Sequence, residues 1–218
     1  MSKIQLKFHS IVLSITTFVF FSLYLELHPI IAINPILKII IGSLTSLALY
    51  RIIAALLLLI TKKLRFLRKK ILGPGYFEGT WVGFYIGLSG NVRFIIEHYE
   101  QDIFSLFVRG QSYNEKKSFH TSWRSKPVNI NIEAGEISYM YDLRSIVDKT
   151  NGDGIAFFNL NRENQDSLPR ELKGFSADLH NGQRTKAWEI KISDKHNISD
   201  TDALNQAIDF YDKNGKNF

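Results

Sequence analysis

The chain has 218 residues, of which 45% are hydrophobic, a formal net charge of +6 and no cysteine. Residues 1–70 carry ten Lys or Arg and one acid, Glu26, which gives a net charge of +9. The remaining residues carry 17 of the 27 bases and 20 of the 21 acids, a net charge of −3. A net-acidic second part argues against binding of long DNA or RNA. The lack of cysteine excludes disulfides and thiolate metal sites.

Two long apolar runs, residues 8–27 and 36–60, predict a pair of membrane-spanning helices. At about 1.5 Å per residue, each run covers the roughly 30 Å hydrocarbon layer of a bilayer. The first run is longer than the apolar region of a signal peptide and a second run follows at once, so we expect no cleavage. Six basic residues follow the second run directly, at 62, 63, 65, 68, 69 and 70. This charge predicts that both chain ends and the second domain are cytoplasmic.

Three residues of the second span are candidates for a role in membrane assembly. Arg51 lies nine residues before Ile60, about 13 Å into the hydrocarbon, and simple counting places it level with Thr17 of the first span. A charge at that depth indicates a functional position, or its side chain extends to the headgroups. Gly42 and Ser46 have the spacing of small residues at helix contacts, either between chains or within the hairpin.

From residue 76 to 192 the pattern changes to short segments in which apolar and polar residues alternate, which is typical of β-strands. The predicted strands are 80–86, 92–100, 103–111, 118–124, 128–133, 136–143, 155–160, 172–179 and 185–192. Turn-forming residues separate them at 88–91, 134–135, 151–154 and 181–182. Many antiparallel strands without a helix predict a closed barrel of about eight strands or a sandwich. Residues 200–213 predict a short C-terminal helix, so the domains are 1–70 and 71–218.

No pattern of catalytic residues is found in the sequence. The six His are dispersed and never have the spacing of metal ligands, and no nucleophile, phosphate-loop or dinucleotide motif occurs. The segment from Asp148 to Gly154 is similar to a calcium loop, but its carboxylates fall out of register, so we interpret it as a turn. We therefore predict a protein that is not an enzyme and holds no metal or cofactor.

Aromatic residues interleaved with Arg in the predicted strands are the candidates for ligand binding. Aromatic rings stack on nucleobases and Arg side chains bind phosphates, so a ligand with two bases and two phosphates needs such a mixed set. The same rings would fill the core of any small barrel, and strand Arg residues usually reach solvent. A Gly-x-Trp at the first strand is similar to the barrel-closing motif of the lipocalin superfamily, so Trp81 is expected to be structural. The candidates are Tyr85, Arg93, Arg109, Trp123, Arg124, Tyr139 and Tyr141.

The whole layout resembles the two-transmembrane β-barrel effectors of CBASS antiphage defence. The resemblance rests on the two spans, the basic linker, the sequence GTWVGFY at 79–85 and LKGF at 172–175. It implies a barrel similar to fatty-acid-binding proteins that senses a cyclic dinucleotide made by a partner nucleotidyltransferase of the CD-NTase class. It also implies location in the bacterial inner membrane, and assembly of the spans into a homo-oligomer that disrupts the bilayer and kills the infected cell.

Other interpretations remain open at this stage. The alternative function is a membrane-tethered barrel that binds lipid or another hydrophobic molecule, and a third class is a membrane hydrolase, which the scattered polar residues disfavour. Alternation also leaves open which face of segment 92–100 lies inside the barrel. Arg93 and Glu97 share one face, and Phe94, Ile96 and His98 share the other.

Overall fold

The computed structural model describes residues 3–27, 34–87, 89–145, 151–180, 182–196 and 198–218. The chain forms two compact units, Met1–Leu72 and Gly73–Phe218. Four predicted features lie wholly or partly outside the described residues. They are most of the loop between the spans (28–33), the first residue of the turn at 88, the acid Asp148 within 146–150, and the first residue of the turn at 181.

The first unit contains the helices α1 (Lys3–Leu27), α2 (Pro35–Lys63) and α3 (Arg65–Leu72). The helix α2 begins where the Asn34 side chain accepts a hydrogen bond from the Ile36 amide, with Pro35 at the first helical position. Both α1 and α2 are long and apolar enough to cross a membrane. Only 17% and 6% of their most apolar windows are buried within the protein, whereas the core helix of a soluble domain would be covered.

A polar contact between α1 and α2 corrects which residue of the first span is level with Arg51. The Tyr50 hydroxyl lies 2.5 Å from Nδ1 of His9, so Arg51 is level with His9 and not with Thr17. The simple count was wrong because α2 continues 13 residues past Tyr50, whereas α1 begins only six residues before His9. Arg51 therefore lies about 9 Å from the level at which α1 begins, and its side chain is exposed.

The small residues of α2 face its partner helix within the hairpin. A Cβ on Gly42 would lie 3.8 Å from the Phe20 ring, which places Gly42 at the contact with α1. Ser46 follows one turn later on the same, less exposed face and donates a hydrogen bond to the Ser43 carbonyl. In a single chain, this small-residue face therefore serves hairpin packing.

The basic segment after the second span forms α3, which is held against the end of α2. Arg68 is buried, and its Nη1 atom donates to the carbonyl oxygens of Thr61 and Lys62, each at 3.1 Å. These bonds satisfy carbonyl groups at the C-terminus of α2 and place a positive charge at the negative end of its dipole. The Lys7 amine of α1 also donates to the Lys70 carbonyl at 3.1 Å.

The second unit is a closed antiparallel β-barrel of eight strands with one additional strand and a C-terminal helix. The strands are β1 (Gly79–Ile86), β2 (Val92–Gln101), β3 (Leu106–Asn114), β4 (Phe119–Ser125), β5 (Asn129–Asn131), β6 (Glu136–Ser145), β7 (Asn151–Asn161), β8 (Glu171–Asp178) and β9 (Arg184–Ser193). Hydrogen bonding follows the order β4-β3-β2-β1-β9-β8-β7-β6, and pairing of β4 with β6 closes the barrel, while among the described residues β5 pairs only with β6. The predicted fold is confirmed.

The main difference from the predicted strands lies at the start of β7. Residues 151–154 were predicted to form a turn, but they pair with β6, Gly152 opposite Leu143 and Gly154 opposite Tyr141. Glycine at 154 leaves room for the Tyr141 ring, which a Cβ would overlap. A glycine pattern that is typical of a turn therefore serves close packing on a strand.

The helix α4 (Asp200–Asn214) covers the outer faces of β1, β2 and β9. It begins at Ser199, whose hydroxyl accepts a hydrogen bond from the Asp202 amide. Its buried side chains pack with outward-facing residues of the strands, and the members of this outer cluster include Val82, Phe84, Phe94, Ile96, Trp188, Leu204 and Phe210. This packing answers the open question about β2. Phe94 and Ile96 face the helix, so Glu97 faces the barrel interior.

One end of the barrel is closed by packed rings. Trp81 is fully buried and its indole N–H donates to the Phe77 carbonyl at 2.9 Å. Its ring centroid lies 6.0 Å from that of Phe77 and 5.4 Å from that of Tyr99. Trp81 is structural, as predicted, and the remaining interior space lies toward the opposite end of the barrel.

Candidate functional site

The barrel encloses a cavity of about 420 Å³, within the usual size range of small-molecule sites. Side chains from seven strands line it, and it extends from the middle of the barrel toward the end opposite Trp81. The deep part lies between Glu97 and Glu189, and the outer part includes His120, Ser145 and Gln183. The cavity is the natural candidate for a ligand site.

Four of the predicted aromatic residues line this cavity, namely Tyr85, Trp123, Tyr139 and Tyr141. The ring centroids of Trp123 and Tyr141 are 6.4 Å apart, and those of Tyr139 and Tyr141 are 6.2 Å apart. Glycines on neighbouring strands make room for two of the rings. A Cβ on Gly110 would overlap the Trp123 indole, and a Cβ on Gly154 would overlap the Tyr141 ring.

Hydroxyl groups form a polar band around the outer part of the cavity. The hydroxyls of Ser112 and Thr121 are 2.7 Å apart, and those of Ser176 and Thr185 are 2.8 Å apart. Burial raises the pKa of Tyr141 to about 12. Burial also raises the pKa of Tyr85, which a hydrogen bond with Ser112 and the charge of Arg93 partly oppose. Both phenols are therefore neutral at pH 7, so each can donate a hydrogen bond.

Two buried carboxyl groups, Glu97 and Glu189, lie in the deep part of the cavity with only 2% and 1% of their surface exposed. The Glu97 Oε1 atom accepts hydrogen bonds from the Trp123 indole at 2.9 Å and from the Tyr139 hydroxyl at 2.7 Å. Gly83 provides the space for Glu189, because a Cβ on Gly83 would overlap the backbone beside it and crowd the Glu189 side chain. This explains the glycine between Trp81 and Tyr85 on the inward face of β1.

Burial raises the pKa of both carboxyl groups. For Glu97, hydrogen bonds with Tyr139 and Trp123 oppose part of the increase. For Glu189, burial and then the charge of Glu97 raise the pKa well above its usual range. The two carboxyl groups therefore bind protons more tightly than exposed carboxyl groups do, and because they interact directly they titrate as a pair. The two carboxyl groups hydrogen-bond to each other, and the buried Tyr99 hydroxyl is a further hydrogen-bond partner of Glu97.

The predicted Arg residues are placed differently from the predicted rings. Arg93 is opposite Tyr85, on the inward face of β2, and is half-buried near the open end. Arg109 on β3 and Arg124 on β4 lie opposite each other on the outer face of the barrel, and both side chains are exposed. Arg109 forms an ion pair with Glu100 at 2.5 Å. Their predicted role inside the barrel is thus not compatible with their position, because alternate residues of these strands face inward.

Sequence reasoning missed Glu189 and the glycines beneath the rings. Glu189 lies between Trp188 and Ile190 in a strand that is otherwise apolar at its centre, and an acid in that setting is the available signal. Gly110 and Gly154 each interrupt a strand, which is a known sign of close approach by another group. Among the described residues, no group of three or more His, Asp or Glu is arranged to hold a metal ion.

Comparison with known proteins adds little to this description. No protein-family model and no curated protein matches the chain. A de novo designed fluorescence-activating β-barrel is similar in structure, with 12% sequence identity and a TM-score of 0.35. The match covers 55% of this chain and 95% of the designed barrel.

Proposed function

We propose that the protein is a membrane-anchored sensor and effector that binds a cyclic dinucleotide in its barrel. The observation that carries the proposal is the cavity itself, which combines stacking rings with hydroxyl groups along its wall. Stacking of a base on an aromatic ring contributes about 1–3 kcal/mol. Tyr85, Trp123 and Tyr141 supply such rings, and Thr121, Ser176 and Thr185 supply hydroxyl groups beside them.

The carboxyl pair argues against the alternative of a fatty-acid carrier. A fatty acid would place either its apolar chain or its own carboxylate beside the buried carboxyl groups of Glu97 and Glu189, whose pKa values burial raises. A further carboxylate would be desolvated beside these two acids, and an apolar chain would lie against polar groups without pairing with them. A nucleobase avoids both costs because it is neutral and flat and carries hydrogen-bond donors and acceptors.

The phosphates of the ligand belong at the outer part of the cavity. Arg93 lies on the inward face of β2 opposite Tyr85, which lines the cavity, and its charge acts on the Tyr85 hydroxyl. A guanidinium at this place can bind a phosphate, while the deep part, with its carboxyl pair, is unsuitable for an anion. The two ends of the cavity thus match the two chemical parts of a nucleotide.

The effector step follows from the first unit of the chain. Its two apolar helices anchor the protein as a hairpin in a bacterial inner membrane, with both ends and the barrel in the cytoplasm. A cyclic dinucleotide has two nucleotide halves, so the half outside one barrel is available to a second copy. A bridging ligand has a higher affinity for the assembled protein than for the single chain, and this difference in affinity shifts the equilibrium from single chains to the assembly. Assembly then brings the hairpins together and disrupts the bilayer.

Calorimetry on the full chain in nanodiscs, with a panel of cyclic dinucleotides, tests the binding step. We expect at least one member to bind, and Arg93→Gln to weaken it by about tenfold because a hydrogen bond to a charged group is lost. Arg109→Gln is the matched control, since Arg109 lies on the outer face. The absence of binding by every member of the panel would refute the proposal.

A further inference from the structure

The helix α3 lies across one end of the apolar hairpin and does not continue along α2. The backbone leaves the helical conformation at Leu64, whose φ and ψ are −102° and 94°. Beyond this turn, Arg68 donates back to two carbonyl groups in the last turn of α2. Two residues further, the Lys70 carbonyl accepts a hydrogen bond from Lys7, near the start of α1. The helix α3 therefore crosses from one span to the other, at the end where α1 begins and α2 ends.

Apolar side chains at this crossing are exposed. Phe66 is 66% exposed and Leu64 is 42% exposed, whereas Ile71 and Leu72 at the other end of α3 are buried. Single exposed apolar residues are common on soluble proteins, but these two lie directly beside helices long and apolar enough to cross a bilayer. A helix at this level lies along the boundary between headgroups and acyl chains, where an apolar ring is buried in lipid.

Exposed lysines of all three helices accompany these apolar side chains. They are Lys7 on α1, Lys62 and Lys63 on α2, and Lys70 on α3. The only acid in the sequence of the first unit is Glu26, at the opposite end of α1, so no carboxylate of this unit neutralises them. Amines beside an exposed ring are complementary to a molecule that has an anionic group and an apolar chain.

We propose that α3 is an interfacial helix that binds anionic phospholipids, with the four lysines at the headgroup phosphates and Phe66 among the acyl chains. A zwitterionic phospholipid carries a cation beside the same phosphate, so it attracts the lysines less. The inference rests on the membrane anchoring in the proposed function and not on its ligand. It adds the class of lipid to that function, so bilayer disruption is selective for anionic membranes.

Native mass spectrometry of the full chain in detergent, incubated with equal amounts of phosphatidylglycerol and phosphatidylcholine, measures the preference. Adducts of phosphatidylglycerol should exceed those of phosphatidylcholine by about tenfold or more, because each amine beside an anionic lipid contributes about fivefold. The ratio should fall close to one in the triple variant Lys62→Gln, Lys63→Gln, Lys70→Gln. A control that removes the same charge from exposed lysines of the barrel should keep the parental ratio, and its substitutions are Lys116→Gln, Lys117→Gln and Lys186→Gln.

Insertion of residue 66 is measured separately, by quenching of tryptophan fluorescence in vesicles whose lipids have brominated acyl chains. Phe66→Trp should be quenched more strongly than the parent, whereas Leu179→Trp, just beyond the end of β8 and 50% exposed, should not. Equal binding of the two lipids by the parent chain, or no added quenching in Phe66→Trp, overturns the inference while membrane anchoring stands. Failure of the full chain to enter vesicles of either lipid overturns the anchoring as well.

Discussion

The contact between Gly110 and Trp123 leads to a sharp prediction for the variant Gly110→Ala. The added Cβ would overlap the indole at Cε2, Nε1 and Cζ2, so the ring must move. Movement breaks the 2.9 Å hydrogen bond from Trp123 Nε1 to Glu97, which is worth about 0.5–1.5 kcal/mol. Overpacking adds about 1–3 kcal/mol. The free energy of unfolding should fall by about 1.5–4.5 kcal/mol, a large share of the usual 5–15 kcal/mol.

Denaturant unfolding of the full chain in detergent micelles, followed by circular dichroism and tryptophan fluorescence, measures this change. Gly152→Ala is the matched control, since Gly152 also lies in a strand but has no atom within 4 Å of the added Cβ. We expect the control to be neutral or to stabilise by about 0.4–1 kcal/mol. If the two variants unfold at the same denaturant concentration, the ring does not occupy the space above Gly110 and the geometry of the cavity wall is wrong.

Two further predictions concern the carboxyl pair and the membrane hairpin. In the folded protein the pKa of Glu189 is raised well above its usual value of 4.5. As pH rises, the unfolded chain therefore loses the Glu189 proton before the folded protein does. Between the two pKa values the free energy of unfolding falls by about 1.4 kcal/mol per pH unit. Gln does not titrate, so the free energy of unfolding of Glu189→Gln minus that of the parent should be larger at pH 7 than at pH 4 in denaturant titrations. The same difference at both pH values would contradict the raised pKa of Glu189. Arg51→Leu should slow ligand-dependent dye release from vesicles. Hydration of the exposed Arg51 side chain favours a water-filled assembly by at most about 2.5 kcal/mol, and Leu lacks this contribution. Release at the parental rate would show that Arg51 has no part in the assembly.

Alternation of apolar and polar residues predicted the strands and most of the aromatic wall. Tyr139 and Tyr141 were predicted on one face of β6, and both line the cavity. What alternation cannot supply is the identity of the inner face when both faces are buried. The strand β2 is such a case, because α4 covers the side that carries Phe94 and Ile96. The contacts of that helix depend on tertiary structure, so the inward position of Glu97 could not be chosen from the sequence.

The adjacent residues Trp123 and Arg124 show how the predicted site went wrong and what the correction means. Neighbours on a strand point to opposite sides, so both could not reach the ligand, and the inward position belongs to Trp123 because it packs over Gly110 and donates to Glu97. The predicted interior was rich in Arg, but the observed cavity is lined by two carboxyl groups, and of the three predicted Arg residues Arg93 alone lies on an inward strand face, near the open end. Under the proposed function, the anionic part of the ligand therefore stays at the open end, because the deep part of the cavity holds the carboxyl pair. For a nucleotide, that orientation places the base inward against the rings.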